Sequence, residues 1–238
     1  MVTGEAGLRL FQLVSPALPV GGFSYAEGLE VLTQAALLPD AAAVGSWLEA
    51  ELSRGTVRIE AAALAPLARA LQAWAAASGS AESAPEPAAA AAALAEVQDL
   101  QGWLLAQREA PEMRAQLRQM GRSLQQLLAD LGWPLPAPLA CAWPTAFAWA
   151  GVALAVPLPA LVEGYLYAWT TNQLSAAVRL VPLGPTEAQR LQLGLAPRIA
   201  AEAEFLAAAD PRSLRSGGVG AGLAQLRHAE LYSRLFRS

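Results

Sequence analysis

Only two residues of this chain carry the side chains most often used as catalytic base or soft metal ligand: Cys141 is the sole cysteine and His228 the sole histidine. A nucleophile needs an activating base, and the base needs a group to orient it. His228 sits ten residues before Ser238 on what reads as a surface helix, which makes it a poor candidate for that base. One thiol and one imidazole cannot build a zinc finger or a histidine–cysteine cage, and no disulfide can form within the chain. Cys141, two residues from Trp143, reads as a small buried hydrophobe. HExxH, DxD and GxxxxGK[ST] patterns do not occur; Val20-Gly21-Gly22-Phe23 precedes a helix, but the chain has no lysine to complete a phosphate loop. Glu49 and Glu51 point to different helix faces and are expected to be solvated. The residue types supply no catalytic constellation.

Three places ask for more than a structural role. The first is the connector Ser15-Pro16-Ala17-Leu18-Pro19-Val20-Gly21-Gly22-Phe23-Ser24-Tyr25, locked by Pro16 and Pro19 and freed by two glycines. The second is Asn172, Ser175 and Arg179, spaced i, i+3 and i+7, which puts three polar groups on one stripe of an otherwise apolar helix. The third is the tail Leu231-Tyr232-Ser233-Arg234-Leu235-Phe236-Arg237-Ser238, whose tyrosine, phenylalanine and arginines are residue types enriched at interface hot spots. Termini fray unless docked, so this tail is expected to dock, against this protein or another.

The elements that would position these residues are helices. Of the 238 residues, 55% are hydrophobic and 15% charged, and alanine, the strongest helix former, supplies much of the apolar share. Apolar residues recur near every 3.6 positions, and no alternating strand is evident. The spacing predicts helices over 7–14, from Ser24 through Ala36, from Asp40 through Leu52, over 57–77 with Pro66 inside, from the alanine run 88–93 onward, and from Pro111. Further helices are predicted within 145–156, over 159–180, from Gly184 or Thr186, and up to about Ser238. Ser24 with Glu27, and Thr186 with Gln189, stand at capping-box spacing. Residues 78–87 read as a mobile loop and 213–220 as a flexible approach to the last helix. The expectation is an all-α protein, one single-domain bundle of about ten helices over 1–238.

Net charge is -4, and all 16 basic residues are scattered arginines, which argues against a nucleic-acid surface. No charge occurs between Asp130 and Glu163, long enough to span a bilayer, but six prolines interrupt the stretch and a buried core helix fits better. Glu5 and Arg9 break any apolar run at the start, so a cytoplasmic protein is expected.

Four ordered segments resemble the urease accessory protein F (UreF) family. They are Phe11-Gln12-Leu13-Val14-Ser15-Pro16 through Gly28-Leu29-Glu30; Arg108-Glu109 with Glu112, Arg114 and Met120-Gly121; Ser175-Ala176-Ala177-Val178-Arg179-Leu180 with Pro182-Leu183-Gly184; and Arg227-His228 with Tyr232 through Ser238. The resemblance implies a non-enzymatic, dimeric assembly factor. It would bridge a UreD-type protein (also called UreH) and a UreG-type GTPase, help deliver nickel to apo-urease, and regulate GTP hydrolysis. Nickel and GTP would act through those partners, leaving this chain without a cofactor of its own. The candidate partner-binding residues are Pro16, Pro19, Ser24, Tyr25, Glu30, Arg108, Glu109, Asn172, Ser175, Arg179, Arg227, His228, Tyr232, Arg234, Leu235 and Phe236. The segment 213–238 is expected to meet the UreD-type partner, and deletion of the last dozen residues to abolish that complex while leaving the helical fold intact. The connector, Glu30, Arg108, Glu109 and Arg179 are candidates for the dimer or the GTPase contact. Two rivals from other classes are a small helical enzyme with an unrecognised site and a membrane-associated helical protein built on the uncharged stretch.

Overall fold

Proline at the start and apolar spacing along the length account for most of the helices. A computed structural model describes residues 4–79 and 84–238. Its helices are α1 (Glu5–Leu13), α2 (Leu29–Gln34), α3 (Ala41–Arg54), α4 (Thr56–Ala77), α5 (Pro87–Ala106), α6 (Pro111–Asp130), α7 (Trp143–Ala153), α8 (Leu158–Leu180), α9 (Pro185–Leu206) and α10 (Val219–His228). Short 3-10 turns occupy Gly22–Ser24 and Pro211–Ser213, and no strand occurs among the described residues. Five of these helices, α5 to α9, carry proline in their first two positions, where its missing N–H costs nothing and its φ is already helical. Asp40 caps α3 by accepting from the Ala43 N–H at 2.9 Å.

The centre of the bundle is α4, which packs against α3, α5, α7, α8 and α9. Small alanines let neighbouring backbones approach, while Leu64, Leu67, Leu71 and Trp74 fill the volume between them. The uncharged stretch becomes α7, buried from Trp143 to Gly151, and helices that are apolar all round belong in a core. Cys141 is buried beside it, where desolvation pushes its thiol up to about 12. Among the described residues no helix is long and apolar enough to cross a membrane.

Three expectations are corrected. Ser24 with Glu27 is no capping box: Glu27 has φ 50, Gly28 at φ 89 is the N-cap of α2, and the Glu27 side chain turns inward. Glycine is required at 28, because a Cβ there would sit 3.0 Å from that of Ala224 in α10 and the positive φ would strain any side chain. Thr186 makes no cap either, since α9 begins at Pro185 after an extended Gly184. The last helix stops at His228 instead of running to Ser238, and the remaining residues form a bent, non-helical tail. Of the predicted loop 78–87, residues 80–83 lie outside the described residues; at its flanks the Glu86 N–H donates to Ala77 O at 2.8 Å.

Candidate partner-binding site

The tail docks on its own protein. The main-chain oxygen of Ser238 accepts from the N–H groups of Ala26 at 2.9 Å and Glu27 at 3.1 Å, and the Arg237 N–H donates to Ser24 O at 2.9 Å. Ser238 Oγ donates to Gln116 Oε1 on α6 at 2.6 Å. Glu30, almost fully buried, uses both carboxylate oxygens on the tail, accepting from Leu235 N–H at 2.7 Å and Phe236 N–H at 3.1 Å. Glu112 joins two parts of the C-terminal segment. Its Oε2 lies 2.7 Å from His228 Nδ1 and its Oε1 accepts from Arg234 Nη1 at 2.7 Å. His228 Nε2 faces Glu30 Oε2 at 3.4 Å. Phe236 is buried under the Arg179 guanidinium, 4.5 Å from its ring centroid.

His228 is therefore an interior residue, contrary to its expected place on a surface helix: 0% of it is exposed. The expectation that the tail could be removed without touching the fold is also revised. Its amides are the donors that satisfy the buried Glu30.

With the tail in place, α10 is apolar on two opposite faces. Ala221, Ala224 and His228 point inward, and the two alanines are small enough for the helix to lie close to α2. Val219, Leu223 and Leu226, spaced i, i+4 and i+7, are 69%, 55% and 41% exposed on the outer face. Tyr232 and Leu235 on the tail are exposed as well, and Arg227 is exposed at the end of α10. A groove of about 550 Å³ runs beside this helix, lined in part by Glu109, Arg215, Val219 and Leu223.

Arg108 is buried and turned inward, not toward a surface. Its Nη2 lies 2.7 Å from Glu60 Oε1 on α4, and Tyr165 donates its hydroxyl to Glu60 Oε2 at 2.7 Å. Burial pushes the Glu60 carboxyl above its usual range, with the Arg108 guanidinium opposing it; burial also works against the charge on Arg108, but Glu60 and Glu27 outweigh that and hold it protonated. Tyr165 is shifted upward by burial and by Glu60. Glu27 accepts from Gln116 Nε2 at 2.8 Å and Trp169 Nε1 at 3.0 Å. Glu51 is not the solvated residue expected: burial, reinforced by Glu27, lifts its carboxyl to about 7.

The connector packs on α8, with Gly22 against Asn172. Pro16 and Pro19 are exposed, Ser24 is half-buried and Tyr25 buried. The polar stripe of α8 is a surface feature, not a buried one: Ser175 and Arg179 are exposed and Asn172 half-buried, its amide pressed against Gly22, where a Cβ would lie 2.9 Å from Nδ2. A second groove, about 610 Å³, opens between α1, α8 and α9; it is lined by Leu10, Phe11, Val14, Pro16, Tyr167 and Ile199 among others. Phe11 is 67% exposed, and Leu8 on α1 and Leu193 on α9 are exposed as well.

Glu30, Glu112, Arg179, and His228 with Arg234 and Phe236 come from the four sequence segments singled out above, and the fold brings all four to the tail. The UreF family model matches residues 38–196. A urease accessory protein UreF of Alkalilimnicola ehrlichii is 38% identical over 99% of this chain and 97% of its own length. Relatives with the same description from Synechocystis sp. (36% identical) and Thermosynechococcus vestitus (38% identical) are covered in full, as is this chain.

The chain belongs to the UreF family. Its membership makes it a urease accessory protein, and within that frame the sequence-predicted residues separate into two groups. Glu30, Arg108, Tyr25, His228 and Phe236 are internal, building the platform and anchoring the tail. Pro16, Pro19, Glu109, Ser175, Arg179, Arg227, Tyr232, Arg234 and Leu235 remain at the surface, with Ser24 and Asn172 at its margin. Sequence reasoning about this UreF-family chain missed Glu27, Glu60 and Gln116. One signal was available for Glu60: it is the lone carboxylate in α4, set among alanines, where an acid must find a buried donor.

Proposed function

We propose that this urease accessory protein is a non-enzymatic assembly factor that joins a UreD/UreH-type protein to a UreG-type GTPase, so that nickel reaches apo-urease under control of GTP hydrolysis. The observation that carries this reading is the two-faced α10. A helix apolar on both sides is normally enclosed, and here only the inner side is covered by the chain itself. Val219, Leu223 and Leu226 with Tyr232 and Leu235 fit an interface core, and Arg227 and Arg234 fit its polar rim. The UreD-type protein is the partner assigned to this face. The groove at Phe11 is assigned to a second copy of the chain, since a projecting phenylalanine beside an apolar groove suits a self-complementary two-fold contact.

Co-expression with the UreD-type protein, followed by affinity capture, tests the first assignment. The double variant Leu223→Asp, Leu226→Asp replaces exposed side chains and so should keep its melting temperature. It should lose on the order of 2 kcal/mol or more of binding, about thirty-fold in Kd. Undiminished capture of the partner by a folded variant removes the reading.

A further inference from the structure

A small chamber under the connector is lined largely by polar groups. About 20 Å³ in volume, it lies between Gly22, Tyr25 and Glu27 on one side and α4, α6 and α8 on the other. Its polar lining includes Tyr25, Glu27, Glu60, Gln116, Tyr165, Trp169, Asn172 and Gln173.

Hydrogen bonds engage Glu27, Glu60, Gln116, Tyr165 and Trp169, and leave the buried oxygen of Gln173 without a donor among the described residues. The Glu27 carboxylate is met by Gln116 and Trp169, and that of Glu60 by Arg108 and Tyr165. Gln173 is 1% exposed, and its Oε1 accepts no hydrogen bond from any of the described residues. A buried amide oxygen without a donor is rare in folded proteins, and ordered water is the usual remedy.

The lining also states which chemistry fits. The Tyr165 hydroxyl, the Trp169 indole and the Gln116 amide each already donate to a carboxylate. The buried atom left without a partner is an acceptor, Gln173 Oε1, and the carboxylates of Glu27 and Glu60 keep lone pairs of their own. An occupant that donates a hydrogen bond satisfies that oxygen, and one that also accepts can meet the amide and hydroxyl donors of the lining. The occupant must also be about the size of a single solvent molecule, since a volume of roughly 10–15 Å³ on this measure already admits one. We infer that the chamber is a binding site for one water molecule, which donates to Gln173 Oε1 and to a carboxylate of the Glu27–Glu60 pair. That water completes the polar core beneath the connector. Through Glu27 and Gln116 the chamber connects directly to Ser238, so the connector, α4, α8 and the docked tail belong to one hydrogen-bonded unit.

A crystal structure of the full chain, at a resolution where ordered water is visible, tests the site directly. One solvent peak within hydrogen-bond distance of Gln173 Oε1 is expected, with no anomalous signal there after a rubidium soak. Oxygen-17 relaxation dispersion in solution should count one long-lived water fewer in Gln173→Met than in the parent protein. A dry chamber, or an anomalous peak marking a monovalent cation in place of water, overturns the inference. So does an unchanged count of long-lived waters in a folded Gln173→Met. If that variant does not fold, the parent crystals still decide.

Discussion

A carboxylate taken out of water has to be met by donors, and Glu27, Glu30 and Glu60 are each met by donors from segments distant in sequence. Glu30 holds the tail through two main-chain N–H groups, which no side chain other than a two-oxygen acceptor could replace. Glu30→Ala should lower stability by about 2–4 kcal/mol, because both amides and the facing His228 lose their acceptor. Thermal or urea unfolding would show it, and a loss below about 0.5 kcal/mol would mean that the tail is not held this way. Glu51 gives a pH dependence of opposite sense to the usual carboxylate. Its folded value is raised from 4.5 to about 7, so between those values the native state binds more protons than the unfolded state. Its contribution to stability therefore declines as pH rises through this window and is fully unfavourable above about 7, by on the order of 3 kcal/mol. Glu51→Gln should flatten the pH 5 to pH 8 stability profile and be the more stable protein at pH 8; a profile parallel to that of the parent protein would contradict the burial argument.

At the scale of elements, α2, α10 and the tail stand or fall together. α2 has only six residues and no side-chain cap, too short to persist by propensity alone, so its helicity depends on what packs against it. Glu27 is held at φ 50 by Gln116 and Trp169 and by its own N–H to Ser238 O, and this strained turn aims Glu30 at the tail. Removing residues 231–238 should therefore cost more than a tail. Amide hydrogen exchange should lose protection in α2 and at residues 24–27, while α4 and α7 keep theirs. Protection unchanged in α2 would show the platform to be independent of the segment it receives. Gly28→Ala should resemble that truncation, since it adds both a strained φ and a contact at 3.0 Å with Ala224.

For the molecule as a whole, two apolar surfaces on separate elements suit a protein that holds more than one partner. The α10 face is built from the C-terminal segment, and the groove at Phe11 from α1, α8 and α9. Phe11→Glu should shift the protein from dimer to monomer in sedimentation or size-exclusion measurements at micromolar concentration without changing its helical circular dichroism. Retention of the dimer would move the self-contact to another face. The same variant should leave capture of the UreD-type protein intact, because the two surfaces share no residue.

Much of this was legible in the chain of residues. Alanine content, proline placement and the 3.6-residue period determined an all-helical fold, and they placed α3, α4 and α8 within a residue or two and the start of α6 at Pro111, because those signals are local. Four separated segments were enough for the family. What local spacing could not carry was which side of each polar residue would find a partner. Ser24 and Glu27 have capping-box spacing, yet Glu27 is drawn inward by Trp169 and Gln116, 142 and 89 positions away. His228 sits on a helix that looks solvent-facing by pattern, yet it is buried by Glu30 and Glu112. Whether an ionisable group lies in water or in the core is settled by contacts between distant segments, and only the tertiary structure brings those segments together.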